Sequence, residues 1–452
     1  MASTRIHRTP GSASNQVKWT WSAWVKKCTN ASSGALFCAY TDANNYTELD
    51  MGSNQIDYYN VTGGGVDARR TTSAYQRDPA AWYHIVVVWD SANATPGDRM
   101  KVYINGVEQT AFSATTDPSS SLNSIMNSTA PQEIGARATG GSTFFNGNMS
   151  HVNFCDGQAY AASDFGETDS TSGIWKIKTS PSVTYGTNGY FLKMEDRTNL
   201  DLDSSPNAHT FTTTGDLTAT YDNPSNNFVT LNPLGENVLM TGTHDLLNGN
   251  TTYDPTNTGN ESWSASTLGA AAGKWYWEVK LAGTMAGDWP DIGFIKMDDI
   301  STRQSDNTPP QHNTTYLGVY EPNGTKWIFG TQTTSWGSGY TAGDIIQCAV
   351  DCDNGKLWWG KNGTWETSGA TGDPANGTNE SGTFTAGTLM GPYVAGYEAG
   401  SVYLYHNFGN GYFGTTAVST AEADGAGIGA FEYAPPTGFY ALCTKNIKAY
   451  GG

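Results

Sequence analysis

The sequence is short of positive charge, of cysteine and of long apolar runs, and each shortage removes a class of protein. Lys and Arg total 24 against 42 Asp and Glu, a net charge of −18. A surface this acidic repels phosphate backbones and anionic headgroups. No basic run offsets it, since "WKIKT" at Trp175 is too short, so neither a nucleic-acid partner nor membrane insertion is expected. No apolar stretch approaches the ~20 residues of a membrane span. The longest is of the core-strand type, "IVVVW" at Ile85–Trp89. The opening "MASTRIHRTPGSASNQ" lacks the apolar core of a signal peptide, so cytoplasmic synthesis without trimming is expected. Coiled-coil heptads that would build a shaft are missing. Six cysteines (Cys28, Cys38, Cys155, Cys348, Cys352 and Cys443) are spaced irregularly through 452 residues. They read as free, buried thiols rather than a disulfide framework.

What is abundant points to strand and turn. There are 53 Gly, 15 Trp, 24 Tyr and 16 Phe, and charged residues make up only 15%, a balance that favours an all-β protein with many loops. Val17–Lys27 alternates, with Trp19, Trp21, Ala23 and Val25 on one face and Thr20, Ser22, Trp24 and Lys26 on the other. Ala81–Asp90 is apolar on both faces, as in a central strand. Asn105-Gly106 between two strand patterns reads as a type I′ hairpin. Residues 196–227 are rich in Asx, Ser, Thr and Pro and read as a connecting segment. A second β-pattern begins at 228 and includes the cleanly alternating Gly273–Gly283. In Gly343–Trp365, Cys348 and Cys352 lie four residues apart on one strand face, roughly 13 Å. That is too far for a disulfide, which needs Cα atoms within about 7 Å.

Two segments carry a family resemblance. "AWYHIVVVWDSANATPGDRMKVYINGVEQT" with "EIGARATGGSTFFNGNMSHVNFCDGQAY" resembles the laminin-G-like domain, a concanavalin A-like jelly roll, over roughly residues 1–195. "GKWYWEVKL", "DIGFI", "GDIIQCAVDCDNGKLWWGKNGTW", "GPYVAGY" and "YLYHNFG" together resemble the SPRY domain, over roughly 228–415. The resemblance implies two concanavalin A-like jelly-roll β-sandwiches in tandem: 1–195, a connector at 196–227, and 228–452 with a C-terminal extension. The whole order, including "RTPGSASNQVKWTWSAWVKK", "DGQAYAASDFGETDSTSGIWKIK" and "PPTGFYALCTKNI", is similar to a group of bacteriophage proteins, especially of marine phages. That likeness implies a virion protein, a tail fibre or another surface appendage. Its partners would be other virion proteins and a host-surface glycan or protein, with a homo-oligomer, commonly a trimer, as its assembly. Capsid or tail decoration is the alternative role.

Chemistry is sparse. Glucan hydrolases that share the laminin-G-like fold carry Glu-x-Asp-x-(x)-Glu on one strand, one carboxylate as nucleophile and one as acid/base. Here Glu48 and Asp50 stand on one strand, but Gly52 and Ser53 occupy the place of the second Glu. No enzyme is therefore expected, a polysaccharide depolymerase included, and Glu48 and Asp50 are expected to face solvent. His84, in a core strand, reads as a hydrogen-bonded structural residue. Asp196, Asn199, Asp201 and Asp203 offer hard oxygens that suit calcium, although Asx-rich loops also hydrogen-bond to themselves as turns; no other cofactor is indicated. For ligand contact, Trp336 and Tyr340 stand in the Gly-rich "TTSWGSGYTAGD" and Trp289 in "AGDWPDIG"; Tyr58 and Tyr59 are weaker candidates. Such rings either present flat area to a ligand or anchor their own loop.

Overall fold

The computed structural model describes residues 4–28, 34–137, 143–234, 243–256, 262–283, 290–305, 315–367, 369–396 and 402–451. It is all-β and divides into two units, Met1–Ala219 and Thr220–Gly452.

In the first unit an eight-stranded sheet runs in the order Phe112–Thr116, Gly65–Thr72, Asp57–Thr62, Asn45–Asp50, Ala35–Asp42, Gln132–Ile134, Arg5–Arg8, Thr212–Thr214. A six-stranded sheet runs Tyr190–Leu192, Gly147–Asp156, Lys18–Lys27, Trp82–Asp90, Met100–Ile104, Val107–Glu108. The alternation of Lys18–Lys27 sends Trp19, Trp21, Ala23 and Val25 between the sheets, beside Phe37, Tyr58, Trp89 and Phe154. Each large aromatic buried there removes ~150–250 Å² from water, a contribution of about 4–6 kcal/mol before entropy. The outer face of the six-stranded sheet is not bare. Val86, Val88 and Cys155 on it pack against Ala162, Phe165 and Tyr185 from the segment that follows. The Asn105-Gly106 turn has φ of 48° and 83°, as a type I′ hairpin requires.

The second unit pairs two sheets in the same way. One runs His244–Leu247, Thr252–Pro255, Val402–Asn407, Lys274–Gly283, Ile345–Asp351, Lys356–Lys361, Thr364–Trp365. The other runs Ser262–Ala265, Met390–Gly396, Asp291–Lys296, Leu317–Tyr320, Lys326–Ile328, Thr331–Thr333. Cys348, Val350 and Cys352 face the core between them. All six cysteines are free and buried. On the outer face of the first of these sheets, Tyr276, Ala349 and Trp358 are covered by Phe228, Phe431, Phe439, Ala441 and Cys443. Tyr440–Ala441 pairs parallel with the Lys274–Gly283 strand, and Phe228 bridges to Cys443. Glu278 fastens this cover. Its Oε1 accepts from the Tyr276 hydroxyl at 2.9 Å and the Tyr433 N–H at 2.8 Å, and its Oε2 from the Glu432 N–H at 2.9 Å and Asn407 Nδ2 at 3.2 Å.

The stretch 196–227, expected as a connector, is shared out between the units. Thr212–Thr214 pairs with Arg5–Arg8 and Phe211 packs on the first core, whereas Tyr221 and Phe228 pack in the second unit.

Candidate binding sites

The structure relocates most of the ring candidates. Trp336 and Tyr340 are only 5% exposed. The Trp336 ring meets Tyr320 and Trp359 edge-on, with centroids at 5.4 Å and 6.0 Å. The Tyr340 hydroxyl donates to the carbonyls of Pro290 and Tyr320. Both rings anchor their loop; neither presents a face to a ligand. Tyr58 is wholly buried against Trp19 and Trp89. Tyr59 is half-buried and donates its hydroxyl to Glu48 at 2.9 Å. Trp289 lies outside the described residues.

The proposed calcium ligands do not converge. Asp203 is buried, and its carboxylate accepts from the backbone N–H groups of Phe191, Ser205 and His209. Asp201 accepts from the Thr213 hydroxyl, and Asp196 accepts from the N–H and hydroxyl of Thr198. These bonds hold the Asp196 carboxyl below its ordinary pKa. The cluster is a series of turns, because each carboxylate is spent on nearby donors. Among the described residues no group of three or more His, Cys, Asp or Glu is placed to hold a metal ion.

One pair looks like a nucleophile and its base. Ser22 Oγ is 2.9 Å from His84 Nε2, a neighbour that sequence reasoning could not supply. The far nitrogen decides the chemistry. Trp175 Nε1–H donates to His84 Nδ1 at 3.0 Å. Indole N–H can only donate, so Nδ1 carries no proton, and the neutral ring holds its proton on Nε2 and donates to Ser22. In an active pair the histidine must accept the serine proton at that same nitrogen. Burial also pushes the His84 pKa down to about 3. Stacked between Trp24 and Trp175, His84 is structural, as expected.

A pocket of about 170 Å³ opens on the outer side of the six-stranded sheet. Alternation builds most of it. In Trp82–Asp90 the core takes Ile85, Val87 and Trp89, so Val88 and Asp90 face outward; in Met100–Ile104 the core takes Met100, Val102 and Ile104, so Lys101 and Tyr103 face outward. Val88 pairs with Lys101 and Val86 with Tyr103. The loop after Asp90 adds Asn93 and Asp98, and Tyr160 closes the side between Ala159 and Ala161. Lys101 Nζ lies 3.0 Å from Asp98 and 3.4 Å from Glu108. Asp90 Oδ2 lies 3.3 Å from Lys18 Nζ, while its Oδ1 is buried without a hydrogen-bond partner.

Residues 4–163, which include this pocket, match the concanavalin A-like lectin/glucanases superfamily through its laminin-G-type model, and residues 274–383 match the SPRY domain. The chain carries a laminin-G-type domain and a SPRY domain. Among solved structures it is similar to the SPRY domain of human HERC1, at 16% identity over 39% of this chain and 96% of that one, with a TM-score of 0.30. It is also similar to a heptameric SAP-like pentraxin from Limulus polyphemus, at 16% identity over 47% and 88% of the two chains, TM-score 0.30. A third is domain 4 of AbnA, a GH43 extracellular arabinanase from Geobacillus stearothermophilus solved with arabinotriose, at 20% identity over 35% and 69%, TM-score 0.27. No curated protein matches the chain.

In the laminin-G-type domain Glu48 and Asp50 are buried, not solvent-facing, at 1% and 8% exposure. Glu48 Oε2 takes the Tyr59 hydroxyl and Arg137 Nη1 at 2.7 Å, and Arg137 lies over the Tyr46 ring. Asp50 accepts the Gly34 N–H at 2.9 Å. Burial raises both carboxyl pKa values despite these partners. The cover over this face comes from residues distant in sequence, which alternation along one strand does not reveal. Asp90, Lys101 and Tyr103 were not singled out from the sequence, since Ala81–Asp90 reads as apolar on both faces. Tyr160 had no signal either, since it stands in an irregular segment.

Proposed function

We propose that this chain is a non-enzymatic recognition protein of a bacteriophage particle, a tail fibre or similar surface appendage that binds glycan or protein on the host surface. The observation that carries the reading is the pocket of the laminin-G-type domain. It sets two tyrosines among carboxylate, amide and ammonium groups with no nucleophile beside a competent base. The concanavalin A-like lectin-type domain that holds it supports a binding role. The likeness of the whole sequence to phage proteins supports the virion setting. In this reading the protein is made in the host cytoplasm, assembles as a homo-oligomer with other virion proteins, and uses no cofactor. Purified protein is expected to bind host cells at micromolar concentration without releasing oligosaccharide from their envelope. Failure to bind, or release of sugar, overturns the reading. Decoration of capsid or tail is the second reading, favoured by the lack of heptads for a shaft. Cryo-electron microscopy of the intact particle separates the two by the position of the chain.

A further inference from the structure

In the first unit a buried lysine of one sheet reaches an amide attached to the other. Lys27 ends the Lys18–Lys27 strand of the six-stranded sheet. It is only 5% exposed, although lysine is almost never buried unless its charge is paired. Its Nζ lies 2.8 Å from Asn54 Oδ1, a neutral partner. Asn54 belongs to the turn Gly52–Asn54, which follows the Asn45–Asp50 strand of the eight-stranded sheet. Backbone bonds fix that turn. Ser53 and Asn54 take φ of 50° and 65°. The Gln55 N–H donates to the Gly52 carbonyl at 3.0 Å, and the Gln76 N–H donates to the Asn54 carbonyl at 2.6 Å.

The pair has the parts of a condensation. With a C=O bond of about 1.23 Å, Lys27 Nζ is at most about 4.0 Å from Asn54 Cγ. A near-attack contact is ~3–3.5 Å, so little movement separates the two. Burial lowers the Lys27 pKa to about 8, and a desolvated lysine of that kind supplies a neutral, nucleophilic amine near neutral pH. A carboxyl is at hand. Asp50, at the end of the strand that leads into the turn, is 8% exposed and accepts the Gly34 N–H through Oδ2 at 2.9 Å. Burial raises its pKa, which suits a group that must carry a proton.

We propose that Lys27 and Asn54 condense to an intramolecular isopeptide bond. The neutral Lys27 amine attacks Asn54 Cγ. The Nζ–Cγ bond forms, the Cγ–Nδ2 bond breaks, and Nδ2 leaves as ammonia. Asp50 relays the proton that Nζ loses to the departing Nδ2 and ends as it began. Nothing is oxidised or reduced, and no co-reactant is consumed. The product is an uncharged amide, which relieves the cost of a buried ammonium. It also staples the six-stranded sheet to the eight-stranded one, in a chain whose six cysteines are all free. Like a disulfide, such a link stabilises the fold by restricting the unfolded chain. The bond does not depend on the recognition reading above.

The test uses the full chain, purified and held at about pH 8, where the Lys27 amine is substantially neutral. The chain is then denatured for intact-mass spectrometry and tryptic mapping. Its mass is expected to fall short of the sequence by one ammonia, and a branched tryptic peptide is expected to join Lys27 to Asn54. Lys27→Arg and Asn54→Ala are expected to show the full mass and to unfold at a lower temperature. Asp50→Asn is expected to form the link on the order of a hundredfold more slowly, read from the mass over time. Circular dichroism establishes that each variant is folded, and the parent's own mass and tryptic map decide the matter if none is. A parent that keeps its full mass overturns the proposal. So does ammonia loss that persists in folded Lys27→Arg or that maps to an unbranched peptide, because it then belongs to another asparagine. Linkage at the parental rate in folded Asp50→Asn overturns the role given to Asp50.

Discussion

His84 makes the first unit acid-sensitive by an amount that follows from its burial. Folded, its pKa is held down at about 3 by burial; unfolded, it returns to roughly 6.5. The unfolded chain therefore binds the extra proton first, and stability falls as pH falls. The contribution is fully present above pH ~6.5 and is lost as the pH drops toward ~3. The whole shift corresponds to about 5 kcal/mol, of which about 3 kcal/mol disappears between pH 7 and pH 4. The perturbation is His84→Gln, which keeps one acceptor for Trp175 and one donor for Ser22 but has no proton to titrate. Urea unfolding of parent and variant, followed across pH 7 to 4, isolates this residue, because His244 and His406 in the second unit titrate alike in both proteins. The parent is expected to lose about 3 kcal/mol more than the variant over that range. Parallel pH profiles would refute the tautomer argument. So would an NMR titration that places His84 near pH 6.5, because a ring locked by an indole donor cannot protonate there without breaking that bond.

Three further outcomes are expected. Glu278 has the opposite sign: burial pushes its carboxyl up to about 7 despite four donors, so its contribution is full below pH ~4.5 and is lost as pH rises through ~7. Glu278→Gln is expected to remove about 2–3 kcal/mol of pH dependence between pH 5 and 8, read by the same unfolding comparison. Arg137→Met leaves the buried Glu48 carboxylate with the Tyr59 hydroxyl as its remaining side-chain donor and is expected to cost on the order of 3 kcal/mol, measured by the shift in urea midpoint. Trp336→Ala empties a core position between Tyr320 and Trp359 and is expected to cost about 3–5 kcal/mol in the same assay; if stability were unchanged while cell binding fell, the ring would be a ligand contact after all.

The fold was legible where one strand carries its own evidence. Period-two alternation in Lys18–Lys27 and Lys274–Gly283 placed inward residues correctly, Asn105-Gly106 announced its turn, and the spacing of Cys348 and Cys352 ruled out a cross-link. The site candidates fared differently because their surroundings come from elsewhere. A Gly-rich loop around Trp336 reads as exposed. In fact those glycines let two backbone segments close on each other: a Cβ at Gly324 would stand 2.4 Å from the Gly337 carbonyl oxygen. The loop folds inward and takes the ring with it. Glu48 and Asp50 are buried by partners such as Arg137 and Gly34, on segments that no single-strand pattern links to them. The Asp196 cluster was ambiguous from composition alone, and local geometry resolved it as turns.

The cover over Tyr276, Ala349 and Trp358 bears on how the second unit is made. Its sheet is complete in outline once residues up to Asn407 have been synthesised, yet Phe431, Phe439, Ala441 and Cys443 arrive later. Without that later segment the aromatic face stands open, and Glu278 lacks the Glu432 and Tyr433 amides that hold it. Phe228, at the start of the unit, must wait for Cys443 near its end. A chain cut between 407 and 431 would carry that face uncovered, where association with another copy competes with folding.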